Sequence, residues 1–104
     1  MTAISDRRKE YLLAGIKVDL QIQGSVAYDD RLCEYIDAAV QEIERQGATL
    51  TEETAENNSI IQSYVCWRWR TRDTMSGMPR ALRFSINNLV FSQHAKTGGD
   101  ANGL

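Results

Sequence analysis

The sequence predicts an all-α protein, a small four-helix bundle with a flexible C-terminal tail. Three observations predict it. Apolar residues recur at helical spacing in four segments. The single proline, Pro79, stands at the head of one of them. Six of the seven glycines fall between these segments or in the last seven residues. A chain of 104 residues supports one core, not two, and its 42% hydrophobic content is enough to fill one. Residues 1–94 are therefore expected to form one helical domain and residues 95–104 the tail.

The first helix is expected over Asp6 to Leu20, with Ser5 as its N-cap. Leu12, Ile16 and Leu20 share one face, with Leu13 beside them. Gly15 costs this helix about 1 kcal/mol against alanine. Gln21 to Tyr28 reads as a loop. The second helix is the clearest: Asp29 or Asp30 can cap the run RLCEYIDAAVQEIERQ. Leu32, Ile36, Ala39, Val40 and Ile43 follow one stripe. Gly47 then supplies a left-handed stop, and such a helix is roughly 25 Å long.

The third helix begins after a cap region at Thr51–Thr54. Ile60, Ile61, Tyr64, Val65 and either Trp67 or Arg68 carry its stripe to about Arg72. A strand competes for YVCWRW, since β-branched and aromatic residues favour strands. The helical pattern starts earlier, at Ile60, and runs unbroken, which favours the helix. Asp73 to Gly77 forms a turn. Pro79 opens the fourth helix at the first helical position, where a missing N–H does no harm. Leu82, Ile86, Leu89 and Val90 face inward, Phe91 extends that face, and the helix frays near His94. The Gly-rich KTGGDANGL that follows is too polar to order itself alone.

Composition narrows function by exclusion. A net charge of −2 gives no overall bias toward nucleic acid or anionic membrane. The longest apolar stretch, Tyr11 to Ile16, is far too short to span a bilayer. No apolar secretory region precedes the charged MTAISDRRKEY, so a cytosolic protein is expected. No Gly-rich phosphate loop occurs. Cys33, Cys66 and His94 are too few and too scattered for a zinc site. The two cysteines read as small hydrophobes, and His94 as a helix-terminal residue suited to the dipole. Asp29–Asp30 and Glu52–Glu53 are paired carboxylates, but both pairs stand where helices begin and negative charge is stabilising. Asn57-Asn58-Ser59 matches a glycosylation sequon with no meaning in the cytosol. No catalytic, cofactor-binding or metal-binding residues are expected, and the chain is read as a non-enzyme.

Charge is unevenly distributed. From Asp29 to Glu56 nine acidic and two basic residues sum to −7; from Arg68 to Arg83 five arginines and one aspartate sum to +4. Both groups could be plain solvated faces. In the sharper reading, Asp29, Asp30, Glu34 and Asp37 meet Arg68, Arg70, Arg72, Arg80 and Arg83 of a neighbouring copy. Two different surfaces make a head-to-tail contact, which closes into a ring if the rotation permits. Arg68 and Arg72 are one turn apart, and Arg80 and Arg83 form a second pair. Trp67 and Trp69 lie about 200° apart on a helix, so one of them is expected at the surface, where Trp beside Arg suits an interface. Arg-Trp-Arg would also stack on nucleic-acid bases, so a small nucleic-acid-binding protein using the Arg68–Arg83 region is the alternative. The acidic second helix would repel phosphate.

The segments GIKVDLQI, YDDRLCEYIDAAVQEIERQG, NNSIIQSYVCWRWRTR and MPRALRFSINNLVFSQ occur in this order over Gly15 to Gln93. In that order and spacing, with its MPR…INNL…FSQ ending, the chain resembles the head–tail connector proteins of tailed bacteriophages, the DNA-packaging or head-completion adaptors. The resemblance implies a helical bundle that forms a ring, dodecameric in the particle, on the portal vertex after DNA packaging. It implies a docking surface for the next neck or tail protein, DNA passing through without sequence-specific binding, no enzymatic activity and no cofactor. It places the protein in the virion neck and, during assembly, in the host bacterial cytoplasm, phage- or prophage-encoded. It also implies that the C-terminal segment orders against the portal, with Lys96, Asp100 and Leu104 as contacts. The paired tryptophans and the polar N-terminal extension Met1–Lys9 depart from the family pattern.

Overall fold

The computed structural model describes residues 2–74 and 76–102, with side chains through Ala95. Its four helices are α1 (Asp6–Asp19), α2 (Asp29–Arg45), α3 (Ala55–Arg70) and α4 (Arg80–Asn102). No strand occurs among the described residues, and YVCWRW is helical. None of these helices is long and apolar enough to cross a membrane.

The helix ends follow local chemistry. The Ser5 hydroxyl accepts from the Arg8 N–H, and the Thr54 hydroxyl from the Asn57 N–H, satisfying donors that the first turn leaves unpaired. Gly47, just past the Gln46 C-cap of α2, adopts φ of 111° and donates its N–H back to the Glu44 carbonyl. Its missing side chain also leaves room for Val90, whose Cγ1 would stand 3.3 Å from a Cβ there. The start of α2 differs from expectation: its N-cap is Tyr28, with no side-chain cap bond. Asp29 and Asp30 are first-turn residues, where they still complement the dipole. Pro79 lies one position outside α4, and its carbonyl accepts from the Arg83 N–H.

α1, α2 and α3 pack against one another, and α4 lies along α3. The core is Leu12 and Ile16 from α1, the whole predicted α2 stripe, Ile60, Ile61, Tyr64 and Val65 from α3, and Leu82, Ile86 and Leu89 from α4. Gly15 leaves room for the Gln62 side chain of α3: a Cβ there would lie 2.2 Å from its amide nitrogen, which donates to the Leu12 carbonyl.

Phe91 does not extend the core; it is 76% exposed. It stands two residues from Leu89, about 200° around the helix, and so points away from α3. α4 continues through His94 to Asn102, which puts His94 within the helix. The tail expected from the sequence begins at Ala95; the side chains of Lys96, Asp100 and Leu104, its assigned contacts, lie outside the described residues.

The N-terminal residues are not a loose extension. The Thr2 N–H and hydroxyl both donate to the Glu44 carboxylate, Arg7 pairs with Glu53, and Lys9 with Asp37. Arg8 is buried and donates to the Asn58 side-chain oxygen, the Leu50 carbonyl and the Glu52 carbonyl.

Glu44 makes this anchorage pH-dependent. Burial pushes its pKa up, but hydrogen bonds from the Thr2 hydroxyl and the Leu50 and Thr2 N–H groups outweigh burial and hold it below the usual value. A carboxyl with a depressed folded pKa adds stability above its unfolded value, about 4.3, and loses it as pH falls through the folded one. The wild-type urea midpoint is therefore expected to fall on acidification below that unfolded value. Glu44→Gln should flatten this part of the curve, because an amide does not titrate. Parallel curves for the two proteins would remove Glu44 from the account.

Candidate interaction surfaces

α3 ends at Arg70 rather than Arg72, and this reorganises the arginine cluster. Arg72 lies beyond the helix and folds back, its guanidinium 4.1 Å from the centre of the Trp69 ring and donating to the Trp69 carbonyl. Arg72 therefore does not share a helical face with Arg68. Arg68 is exposed, 5.5 Å from the Trp67 ring centre. Arg70 donates to the Asp19 carbonyl at 2.9 Å. Arg80 and Arg83 are exposed in the first turn of α4, which contains no acidic residue.

The carboxylates divide in a similar way. Asp29 pairs with Lys17 at 2.9 Å and Asp37 with Lys9 at 3.0 Å, so both brace α2 against α1. Glu34 lies 3.6 Å from Arg31, with both side chains largely exposed. Such a pair contributes little. Asp30 is exposed and has no ion-pair partner among the described residues. Of the nine residues assigned by charge to a contact between copies, Asp30, Arg80 and Arg83 thus remain the most available.

Neither tryptophan is fully at the surface. Trp69 is buried edge-on against Tyr28 and Tyr35, with ring centres 5.3 and 5.4 Å away. Trp67 is half-buried against Tyr64. Its indole N–H is shielded from solvent and has no acceptor among the described residues. Buried donors of this kind are rare in native proteins.

Trp67 lines a groove of about 520 Å³ between α3 and the start of α4. Ile60, Cys66, Pro79 and Leu82 supply further apolar wall, and Ser63 and Ser85 are exposed positions along it. The Cys66 thiol faces Asp19 at 4.0 Å. Burial pushes the Cys66 and Cys33 thiols up from their ordinary value, which disfavours the reactive thiolate. Both cysteines are free. No three His, Cys, Asp or Glu side chains are placed to hold a metal ion among the described residues.

The exposed apolar residues were only partly visible in the sequence. Phe84 is 64% exposed and lies seven residues before Phe91, so the two share the outer face of α4. Val26 is 78% exposed in the α1–α2 loop. The spacing of Phe84 from Ile86 is the signal that could have placed it outward. The groove left no such signal, because it forms only where α4 meets α3. The sequon is closed by packing: Asn57 is buried and donates to the Glu52 carbonyl. Comparison with protein-family models, curated proteins and solved structures finds no match to this chain.

Proposed function

We propose that the chain is a head–tail connector of a tailed bacteriophage, a non-enzymatic adaptor. It forms a ring on the portal vertex after DNA packaging and presents the docking surface for the next neck or tail protein. The observation that carries this reading is the placement of opposite charge on different elements of one small helical subunit. Exposed Asp30 and Glu34 stand on α2, and exposed Arg80 and Arg83 on α4. Unlike surfaces on one subunit fit heterologous, ring-forming assembly. The exposed Phe84 and Phe91 add an apolar face of the kind that binds partners. The four segments of the resemblance supply the end of α1, α2 with its glycine stop, α3 and most of the described part of α4. A dodecamer, the portal contacts of Lys96, Asp100 and Leu104, and residence in the virion neck belong to the same proposal.

The nucleic-acid reading is less well supported. Arg70 and Arg72 are held by Asp19 and Trp69, and Arg68 lies over Trp67, which leaves fewer cations free for phosphate. Disrupting the gene in the phage or prophage that carries it is expected to leave DNA-filled heads without tails. Normally tailed, infectious particles would overturn the connector reading. A steeply salt-dependent mobility shift by the free protein would favour the nucleic-acid reading instead.

A further inference from the structure

We infer that the outer face of α4 pairs with the same face of a second copy of this chain, antiparallel, about a two-fold axis that passes between Asn87 and Asn88. The inference goes beyond the connector reading and does not rest on it.

The first observation is an uncovered apolar face. α4 lies along α3 with Leu82, Ile86 and Leu89 buried. Phe84, Asn87, Asn88 and Phe91 recur three and four residues apart on the opposite side, and all four are exposed. The two phenylalanines are 64% and 76% exposed and stand about 10 Å apart along the helix. No charged residue occurs from Phe84 to Gln93, in a chain that is 25% charged. Charge is depleted in this way at the centre of an interface.

The second observation is the order of the residues. FSINNLVF carries the same types from either end at three pairs of positions: Phe84 with Phe91, Ile86 with Leu89, Asn87 with Asn88. Such a face is its own complement about a two-fold axis. When two copies lie antiparallel, Phe84 of each meets Phe91 of the other, and each asparagine meets its own counterpart. An amide carries donors and an acceptor, so it can bond to an identical amide. This symmetry is what selects a second copy as the occupant.

Charge and area set the direction and strength of the pairing. Arg80 and Arg83 are exposed at the N-terminal end of α4. Parallel pairing would set each against its own copy, like charge on like charge. Antiparallel pairing holds the two copies of Arg80 about 22 Å apart along the helices and those of Arg83 about 13 Å apart, beyond the physiological screening length of about 8 Å. The four phenylalanines of a pair bring roughly 500 Å² of exposed ring surface, half of the total of about 1,000 Å² that a specific interface needs. The asparagines add to this, so the dimer belongs at the weak end, with a Kd on the order of 100 μM. The contact uses the same face of both copies and is complete at the dimer; a ring needs other surfaces.

Sedimentation of the full-length chain tests the pairing. Wild-type protein is expected to be mostly monomeric at about 10 μM and mostly dimeric at about 1 mM, with nothing larger. Phe84→Glu and Phe91→Lys each set a charge against a phenylalanine. Each should weaken dimerisation at least about tenfold and leave the helical circular dichroism unchanged, because both positions are exposed. Their equimolar mixture should associate about tenfold more tightly than either variant alone. In the mixed pair one end joins the two substituted positions as an ion pair and the other end keeps its phenylalanines, which only the antiparallel register allows. The inference is overturned by wild-type protein that stays monomeric at about 1 mM or grows past dimer. Unchanged association of either variant, or a mixture no tighter than the variants alone, overturns it too. Gene disruption reads the connector function separately, so either reading can fail without the other.

Discussion

Arg8→Ala is expected to lower stability by about 3 kcal/mol, the larger share of it from hydrogen bonds left unmade. The guanidinium is almost wholly shielded and serves three acceptors on two other parts of the chain: the Asn58 side-chain oxygen, the Leu50 carbonyl and the Glu52 carbonyl. Alanine removes the donors and leaves the Asn58 side-chain oxygen and the Leu50 carbonyl without them, while the Glu52 carbonyl keeps its bond from Asn57. Each buried acceptor without a partner costs about 1–3 kcal/mol. One effect offsets this in part. Burial holds the Arg8 pKa below its ordinary value, against the favourable fields of Glu53 and Glu44, so the charge itself is carried at a cost.

A domain of this size loses about 4–8 °C of Tm per kcal/mol, so Arg8→Ala should melt more than about 10 °C below wild type by circular dichroism. Arg8→Lys should recover only part of the loss, because an ammonium is a point charge and cannot match the planar fork. A melting temperature within about 3 °C of wild type for Arg8→Ala would show that the three hydrogen bonds do not anchor α1.

Arg8 also shows how far the sequence was legible. Leu12 and Ile16 form an inward stripe, and Arg8 lies one turn earlier on the same face. The pattern pointed inward, but an arginine in a polar N-terminal stretch reads as solvated until its acceptors are known. Those acceptors come from residues 50 to 58 and become visible only when α1 meets the α2–α3 connection. Helix existence, the Ser5 and Thr54 caps and the Gly47 stop depend on local chemistry, and they could be read directly. Surface availability could not. Asp29 and Asp37 looked free for a partner, yet Lys17 and Lys9 of α1 occupy them once the helices pack. The groove beside Trp67 is likewise a product of packing, and charge counting along the sequence does not reveal it.

Ile61→Ala should be as damaging as the loss of Arg8, by a different route. α3 is the helix against which α1, α2 and α4 all pack, and Ile61 is fully buried on it. Truncating a buried isoleucine removes transfer energy and leaves a cavity, together about 2–5 kcal/mol. Because neighbours on a helix packed on several sides cannot readily collapse into the space, the expected value lies near the top, about 4 kcal/mol. Ile61→Val removes one methyl group and should cost only about 1 kcal/mol. Phe91→Ala deletes a larger side chain from the exposed face of α4, yet it should change stability by no more than about 0.5 kcal/mol. Urea unfolding of the three variants measures the contrast directly. If Phe91→Ala costs as much as Ile61→Ala, the outer face of α4 is part of the folding core and is not a surface left open to partners.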